Sequence, residues 1–345
     1  MRAAIVGATG YGGAELIRLL YNHPEVELSS IHSSSQKGTS IIESYPHLYD
    51  LESKALEEID PVLMKQKADV VFLSTPPGIS AKITPLLLEQ GLSVIDLSGD
   101  LRLKDPEQYK KWYHLKPADD EIIMQSVYGL SEWARHQLKG AQLISNPGCY
   151  PTASLLGLGP VINEKVIETN SIIIDAKSGV SGAGRSPMPI SHFSEMTNNF
   201  KIYKVNEHKH IPEIEQTLQQ WDEEVTRVTV STHLVPMTRG IMTTIYANAK
   251  EPMTEKQLRD LYMEVYSRSP FVRVREEGVY PATKEVHGTN YCDIGITFDE
   301  RTGRITIVSV IDNLMKGAAG QAIQNLNLAM GIDETAGLQY IPIYP

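Results

Sequence analysis

The sequence predicts an α/β protein with two domains, one built on a doubly wound parallel sheet and one on a mixed, antiparallel-rich sheet. Three observations support this class. An apolar strand, a glycine-rich turn and an amphipathic helix follow one another in residues 3–20. Strands and helical stretches then alternate to about residue 97, as in βαβ units. Residues 226–311 contain several β-rich segments, and 345 residues are too many for one ordinary core.

Composition excludes several classes of function. The net charge of −10 argues against a general attraction to nucleic acid or anionic membrane. No uninterrupted apolar stretch approaches the ~20 residues that span a bilayer, and the first residues form a strand without a leader-peptide pattern. Cys149 and Cys292 lie far apart and lack metal-ligand spacing, which is typical of a protein in a reducing compartment. We therefore expect a cytoplasmic protein without a metal.

The glycine-rich turn after the first strand is typical of a dinucleotide site. The segment GATGYGG at residues 7–13 joins the strand to the helix, and its glycines would let the backbone approach a pyrophosphate at the helix N-terminus. The spacing G-x-x-G-x-x-G departs from G-x-G-x-x-G, and a tight turn without a ligand is the alternative. We expect a Rossmann-type site whose cofactor contacts include Gly7, Thr9, Gly10, Tyr11, Gly12 and Gly13.

The end of the second strand, Val26 to Ile31, predicts which dinucleotide binds. An NAD enzyme usually has an acid there for the ribose hydroxyls. Residues 32–37 read HSSSQK and contain no carboxylate. The hydroxyls of Ser33 and Ser35 together with Lys37 suit a 2′-phosphate, which favours NADP. A polar loop with a solvated lysine is the alternative.

Further ligand contacts are expected at the carboxyl ends of the next strands, where doubly wound sheets bind their ligands. Ser74 follows the buried strand Asp69 to Leu73 and joins the candidate cofactor residues. Arg102 follows the strand Ser93 to Leu97. A lone arginine is usually a surface residue, but at this edge a phosphate-binding role is equally consistent.

Cys149 is the candidate nucleophile. It lies in SNPGCYPT, residues 145–152, between an apolar strand and a helix predicted from Ala153 to Leu158 with Pro151 at an early position. A thiol there would lie near unpaired backbone N–H groups and the positive end of a helix dipole, which favour the thiolate. A small buried cysteine is the alternative. Cys292, which alternates with apolar residues, is predicted to be such a core residue.

Two later segments carry polar residues suited to the same reaction. Three successive isoleucines at residues 172–174 predict a strand buried on both faces, and the loop after it, SGVSGAGR at residues 178–185, could bind an anion through N–H groups and Arg185 or could be a flexible connector. His208 and His210 precede Glu213 at a helix entrance. Because no third ligand group has metal spacing, we expect one histidine to be the thiol's acid/base partner, and the pattern does not say which.

The remaining segments complete the second domain. Strands are predicted at Thr226 to Leu234 and Ile241 to Ala249, joined by a turn at residues 235–240, and again around Cys292 and Arg304 to Ile311. We expect residues 1–148 to form the NADP-binding domain and residues 149–313 the catalytic and oligomerisation domain. A C-terminal helical segment, 314–345, should return to the first domain, so that Asn313 could touch the cofactor.

Together these segments resemble the N-acetyl-gamma-glutamyl-phosphate reductases, the arginine-biosynthesis branch of the semialdehyde dehydrogenase superfamily. The resemblance covers nearly the whole chain and is most specific in SNPGCYPT and in EHKHIPEIEQ, residues 207–216. It implies an NADPH-binding Rossmann domain, an α+β catalytic domain and a homotetramer. It also implies that Cys149 is acylated, that His210 is the acid/base residue, and that Ser178, Gly179 and Asn313 line the cofactor. The candidate substrate-binding residues are Arg102, Asn146, Arg185, Tyr203, His208 and Glu213.

The implied reaction is the NADPH-dependent reduction of an acyl phosphate to a semialdehyde through a cysteine thioester, with a small molecule as substrate. The residues do not say which arginine holds phosphate and which holds carboxylate. An aspartate-semialdehyde dehydrogenase with the same mechanism is one alternative. A non-catalytic NADP-sensing protein is another, and it should lack a reactive cysteine that substrate protects.

Overall fold

The computed structural model describes residues 1–344, which form two compact units. The first unit contains Met1–Pro147 and Ala318–Gln339, and the second contains Gly148–Gly317 and residues 340–344. Within the described residues, no helix has the length and apolar character needed to span a bilayer.

The first unit is built on a parallel sheet of seven strands. In chain order they are β1 (Arg2–Val6), β2 (Glu27–His32), β3 (Leu56–Glu57), β4 (Val70–Leu73), β5 (Ser93–Asp96), β6 (Val127–Tyr128) and β7 (Leu143–Ser145). Their order across the sheet is β3-β2-β1-β4-β5-β7-β6, and every pairing is parallel. The order reverses beside β1, which confirms the predicted doubly wound sheet. Strand β4 is buried at every position, as expected for a strand covered on both faces.

The helices of this unit follow the strands along the chain. They are α1 (Tyr11–Tyr21), α2 (Ile41–Ser44), α3 (Pro61–Lys67), α4 (Ser80–Glu89), α5 (Pro106–Tyr113), α6 (Asp120–Gln125) and α7 (Arg135–Leu138). The first helix buries Leu16, Ile17 and Leu20 on one face, so its apolar spacing places it on the sheet. It begins at the glycine-rich turn, as the sequence predicts.

The second unit contains a mixed sheet of seven strands. They are β8 (Ile173–Gly179), β9 (Lys201–Tyr203), β10 (Thr229–Val235), β11 (Ile241–Asn248), β12 (Val272–Val274), β13 (Cys292–Asp299) and β14 (Arg304–Ile311), in the order β12-β13-β14-β11-β8-β10-β9. Most pairings are antiparallel, and only β8/β10 and β12/β13 are parallel. This sheet confirms the predicted class of the second half. Cys292 is fully buried on β13, as predicted.

One local prediction for this sheet is wrong. Strand β8 is not buried on both faces, because Ile173 is 40% exposed and burial alternates along the strand. The two strands predicted on either side of residues 235–240 are present as β10 and β11, and β8 lies between them and pairs with both. Hydrophobic patterning identifies a strand but not its neighbours, which are chosen by contacts distant in sequence.

Four helices belong to the second unit: α8 (Cys149–Asn163), α9 (Phe193–Met196), α10 (Ile211–Trp221) and α11 (Glu255–Val265). Helix α8 is buried from Tyr150 to Ile162 and packs on β11, β14 and α10. It starts at Cys149, earlier than the predicted start at Ala153. Pro151 is tolerated because the first turn of a helix does not use its N–H groups.

Within the predicted C-terminal helical segment, 314–345, the helix ends at Met330. Residues 315–319 form a π-helical turn, and α12 spans Gly320–Met330, ending at Gly331 with φ 71°. The N–H groups of Leu314 and Met315 donate to the Asp312 carboxylate, and the N–H of Ile343 donates to the His287 carbonyl. These bonds hold both ends of the segment in the second unit, while α12 lies in the first.

Candidate active site

Cys149 is the first residue of α8, and Gly148 is its N-cap. The Gly148 N–H donates to Glu213 Oε1 over 2.7 Å, and Thr152 Oγ1 donates to the Gly148 carbonyl over 2.9 Å. Cys149 is partly exposed, and neither cysteine forms a disulfide within the described part of the chain. The thiol therefore lies at the positive end of a long, buried helix, where a thiolate is favoured.

Gly317 packs directly against the cysteine. A Cβ added at this glycine would lie 2.8 Å from Cys149 Cβ and 3.2 Å from its Cα, distances that no side chain can occupy without displacing the cysteine. Gly317 lies in the π-helical turn after Asp312, a rare conformation that often occurs at functional sites. The sequence does not predict this contact, because no pattern in DNLMKGAAGQAIQ indicates which glycine packs against the cysteine.

The two histidines lie at the N-terminus of α10, where His210 is the N-cap residue. Both are almost fully buried, and their ring centroids are 4.7 Å apart. The Tyr150 ring meets them edge-on, at 5.2 Å from His208 and 6.0 Å from His210. Since Glu213 in the first turn of α10 also holds the N-cap of α8, the N-termini of the two helices meet. The structure thus brings Cys149, His208, His210 and Glu213 together in the second unit.

A chain of hydrogen bonds, the hydroxyl chain, connects Tyr150, Tyr203 and His208. The His210 backbone N–H donates to His208 Nδ1 over 3.2 Å, so the neutral ring carries its proton on Nε2. His208 Nε2 is 3.4 Å from the Tyr203 hydroxyl, which is 3.1 Å from the Tyr150 hydroxyl. The Tyr150 hydroxyl donates to the His233 carbonyl over 3.2 Å. The hydroxyl chain starts at the His210 N–H, which can only donate, and ends at the His233 carbonyl, which can only accept. One orientation of the hydroxyl and imidazole protons therefore satisfies every hydrogen bond in it.

Burial shifts the titration of the groups in this chain. Burial, together with the nearby charges of Lys204 and Lys209, lowers the pKa of His208 to about 3. Burial also raises the pKa of Tyr203 to about 12 and that of Tyr150 still higher. His208 therefore stays neutral in the working pH range, with both ring nitrogens directed at protein atoms. This arrangement makes His208 a poor proton carrier and leaves the other histidine for that role.

Glu213 has a contact that the sequence did not indicate. Its side chain is fully buried, and the carboxylate accepts from the Gly148 N–H. A carboxylate at the N-termini of two helices is stabilised by both dipoles. The geometry therefore supports a role in fixing the segment that bears the cysteine.

The end of β8 and the loop after it contain Ser178, Gly179 and Arg185 of the predicted residues, and Asn313 contacts that loop. Ser178 Oγ donates to the Gly179 carbonyl over 2.9 Å. Asn313 accepts from the Gly240 N–H over 2.7 Å and donates to Ser181 Oγ over 2.9 Å. Both ends of the Asn313 amide are thus engaged within the second unit. Arg185 lies on the exposed part of the same loop.

In the first unit, the glycine-rich turn at residues 7–13, the glycine loop, has the shape that a dinucleotide requires. Gly7 has φ 86°, and a Cβ on it would lie 2.3 Å from the Ser74 carbonyl oxygen. A Cβ on Gly12 would meet Ser74 Oγ, and one on Gly13 would meet the Gly7 carbonyl. Gly10 within the loop is the N-cap of α1, and no side chain caps that helix. These features leave a bare helix N-terminus, which suits a pyrophosphate.

The remaining contacts of the glycine loop are local. The Tyr45 hydroxyl donates to the Thr9 carbonyl over 3.0 Å, and Tyr11 is 36% exposed at the first position of α1. Tyr45 was not among the predicted residues. Its contact with the loop spans 36 residues of sequence, so no local pattern indicates it.

The carboxyl end of β2 has one feature that residues 32–37 do not indicate. Ser33 is buried, its N–H donates to the Glu57 carbonyl, and Ser35 N–H approaches Ser33 Oγ over 3.4 Å. Lys37 forms an ion pair with Glu58. Because β3 pairs with β2, Glu58, the residue after β3, brings a carboxylate to this strand end from a different part of the chain.

Arg102 and Asn146 are both buried inside the first unit. Arg102 Nε donates to the Asn146 carbonyl over 2.7 Å, and Nη2 donates to the Leu97 carbonyl over 3.0 Å. The Asn146 amide donates to the Ala318 carbonyl and accepts from Asn325. These bonds shape the segment that leads to Cys149. No local pattern indicates Asn325, because a buried asparagine on a helix of mostly small and apolar residues is not a sign of function.

No group of three or more histidine, cysteine, aspartate or glutamate side chains is arranged to hold a metal within residues 1–344. The second unit contains the cysteine–histidine group, and the first contains the glycine loop.

Comparisons with known proteins give a consistent picture. A family model for the NAD-binding domain of semialdehyde dehydrogenases matches residues 2–141, and one for their dimerisation domain matches residues 149–313. Proteins named N-acetyl-gamma-glutamyl-phosphate reductase from Geobacillus sp. (strain WCH70) and Halalkalibacterium halodurans are 58% and 59% identical over 345 residues, which is 100% of both chains in each case.

Similar solved structures share the fold at low identity. Aspartate semialdehyde dehydrogenase II from Vibrio cholerae superposes with a TM-score of 0.71 at 18% identity, covering 95% of this chain and 97% of that one. Aspartate semialdehyde dehydrogenase from Candida albicans, solved with NADP, has a TM-score of 0.68 at 18% identity, with the same coverage.

Proposed function

Because the chain belongs to the semialdehyde dehydrogenase family and is 58% identical along its whole length to an N-acetyl-gamma-glutamyl-phosphate reductase, we propose that it catalyses that reaction. It reduces N-acetyl-L-glutamyl 5-phosphate with NADPH to N-acetyl-L-glutamate 5-semialdehyde and phosphate, reversibly, in arginine biosynthesis. The observation that carries the proposal is the hydrogen bond from Gly148 to Glu213, which joins the helix end bearing Cys149 to the helix end bearing His210.

Cys149 is the nucleophile in this proposal. Its thiolate attacks the acyl carbon, the bond from that carbon to the phosphate oxygen breaks, and phosphate leaves to give a thioester on sulfur. Covalent catalysis divides one difficult displacement into two easier steps. The partial exposure of Cys149 and its place at the start of α8 support this role.

His210 is the proposed acid/base residue. Bound NADPH supplies the hydride that reduces the thioester. His210 protonates the resulting oxyanion and takes the hydroxyl proton back as the carbon–sulfur bond breaks, which regenerates the thiolate and releases the aldehyde. The overall reaction consumes one proton, which the leaving phosphate takes up from solvent as it departs. The neutral, doubly engaged ring of His208 supports the choice of His210.

The residues that we propose to hold NADP(H) fit that cofactor. The glycine loop and the N-terminus of α1 would take the pyrophosphate, with Gly7, Thr9, Gly10, Tyr11, Gly12, Gly13 and Ser74 as the contacts. Ser33, Ser35 and Lys37 would take the 2′-phosphate. Ser178, Gly179 and Asn313 are proposed to line the reacting end.

The proposed substrate-binding residues differ in how accessible they are. Arg185 is exposed and is the better candidate to meet an anionic group. Tyr203 is partly buried and its hydroxyl lies between Tyr150 and His208, so we propose that it positions His208 and does not contact the substrate. Arg102, Asn146, His208 and Glu213 are buried and already hydrogen-bonded, so we propose that they shape the site.

We also propose that the protein works in the cytoplasm as a homo-oligomer, a tetramer by family resemblance. A catalytic thiol needs a reducing compartment, which supports the location. The matched model of residues 149–313 is described as a dimerisation domain, which supports self-association.

The test is the reverse reaction with NADP, phosphate and N-acetylglutamate semialdehyde, with aspartate semialdehyde as the matched substrate control. We expect turnover of the acetylated substrate to exceed that of the control by a large factor. Mass spectrometry of enzyme mixed with acyl phosphate should show an N-acetylglutamyl adduct on Cys149. In Cys149→Ser the dehydrogenase reaction should be lost while NADPH binding persists. Equal rates on both aldehydes, or full activity of Cys149→Ser, would overturn the proposal.

A further inference from the structure

The ion pair between Lys37 and Glu58 points to a residue that governs the choice of cofactor. We propose that Glu58 disfavours the 2′-phosphate of NADPH and supports the ribose hydroxyls of NADH, so that it limits the preference of this protein for NADPH. The inference rests on the proposed function, since it concerns the adenosine end of the same dinucleotide site.

Glu58 is held at the carboxyl end of β2 although it follows a different strand. Leu56 pairs with Ile31 and Glu57 with His32 in the parallel register of β3 with β2. The Glu58 carbonyl accepts from His32 Nδ1 over 2.7 Å. The other ring nitrogen of His32 is 2.9 Å from Ser30 Oγ, and the ring is almost fully buried. The backbone of Glu58 is therefore fixed against the end of β2.

This strand end is where Rossmann-type sites distinguish the two nicotinamide cofactors. A carboxylate there accepts hydrogen bonds from the ribose hydroxyls, and a cation there binds the 2′-phosphate. The present protein places both groups at the same point, Glu58 directly after β3 and Lys37 from the loop after β2, and their side chains are 67% and 66% exposed. Both charges are therefore accessible to a ligand.

The two cofactors use this pair differently. To bind NADPH, Lys37 must leave Glu58 for the phosphate, and the carboxylate then remains beside a group with about two negative charges, which repels it. To bind NADH, the carboxylate can accept from the ribose hydroxyls while the ion pair is retained. Removing the charge of Glu58 should therefore strengthen NADPH binding and weaken NADH binding.

The chain offers a matched control in the preceding residue. Glu57 forms its own ion pair, with Lys67 of α3, over 2.7 Å. Glu57→Gln and Glu58→Gln change the net charge by the same amount at adjacent positions of an exposed segment. Only Glu58→Gln releases Lys37. A difference between the two variants thus reports the specific pair and not the general field of the surface.

The experiment measures kcat/KM for NADPH and NADH, together with the Kd of each reduced cofactor by fluorescence, in the unmodified protein, Glu58→Gln, Glu57→Gln and Lys37→Ala. We expect Glu58→Gln to raise the ratio of kcat/KM for NADPH to kcat/KM for NADH about fivefold or more. The change breaks one exposed ion pair and also removes the repulsion between the carboxylate and the 2′-phosphate. Glu57→Gln should stay within about twofold, as expected for an exposed charge outside the site. Lys37→Ala should lower the ratio.

The outcomes separate this inference from the function on which it rests. If Lys37→Ala lowers the ratio but Glu58→Gln leaves it unchanged or changes it no more than Glu57→Gln, the role of Glu58 is refuted while the 2′-phosphate site stands. If Lys37→Ala also has no effect on either cofactor, the placement of the 2′-phosphate is refuted as well. Retained turnover of N-acetylglutamate semialdehyde in either case would leave the proposed reaction intact.

Discussion

Replacing Tyr203 with phenylalanine tests whether the hydroxyl chain positions the acid/base histidine. The change removes the 3.1 Å contact with the Tyr150 hydroxyl and the 3.4 Å contact with His208 Nε2. A buried donor without an acceptor costs about 1–3 kcal/mol, and a hydrogen bond between neutral groups contributes about 1 kcal/mol. Since the contact with His208 is long, we expect the free energy of unfolding to fall by about 2 kcal/mol.

The expected effect on activity follows from the contacts of His208. This ring accepts from the His210 backbone N–H, so a displaced His208 moves the residue that we propose as the acid/base. A displaced His210 stabilises the transition state less well, and a loss of about 1.4 kcal/mol of this stabilisation lowers kcat about tenfold. The Michaelis constant for the semialdehyde should change by less than about twofold, because Tyr203 then acts through His208 and not on the substrate.

A matched control makes this prediction specific. The Tyr262 hydroxyl, also buried in the second unit, donates to the Gly157 carbonyl of α8 over 2.5 Å. Tyr262→Phe should lower the urea midpoint in the same way but leave kcat unchanged. Steady-state kinetics and urea unfolding of both variants decide the matter. A Tyr203→Phe variant with normal kcat and a raised Michaelis constant would show a direct substrate contact, and the positioning argument would fail.

Three further predictions concern the same site. His210→Asn should lower kcat by about 10²- to 10⁴-fold, as for loss of a general acid/base, and by more than His208→Asn does; the opposite ranking in steady-state assays would reassign the two histidines. Gly317→Ala should slow both turnover and alkylation of Cys149 by iodoacetamide, since the new Cβ would lie 2.8 Å from Cys149 Cβ; an unchanged alkylation rate would argue against this contact. The pKa of His208 is lowered to about 3 in the folded state, so between about pH 6.5 and 3 the unfolded chain binds a proton that the folded chain does not. The free energy of unfolding should therefore decrease as the pH is lowered through that window. At pH 5 this effect lowers the free energy of unfolding by about 2 kcal/mol. Measured by urea unfolding, the decrease in this free energy from pH 7.5 to pH 5 should be smaller for His208→Asn than for the unmodified protein.

The amino-acid sequence alone determined those features that depend on neighbours along the chain. A strand, a glycine turn and a helix within residues 2–21 have one stable geometry, so the glycine loop was predictable in detail. The place of Cys149 at the start of a helix followed from Pro151 and the apolar residues after it, although the helix starts four residues earlier than predicted. The two histidines were recognised as a pair for the same local reason.

Only the tertiary structure decided which residues meet across long separations. Glu213 reaches Gly148 across 65 residues, Glu58 reaches Lys37 from a neighbouring strand, and β8 separates two strands that the sequence places on either side of a turn. Gly317 contacts Cys149 across 168 residues of sequence, at the point where the chain leaves β14. Local patterning reports the burial and backbone preference of a residue, whereas pairing, register and the partner of a buried polar group are set by the free energy of the whole packed unit.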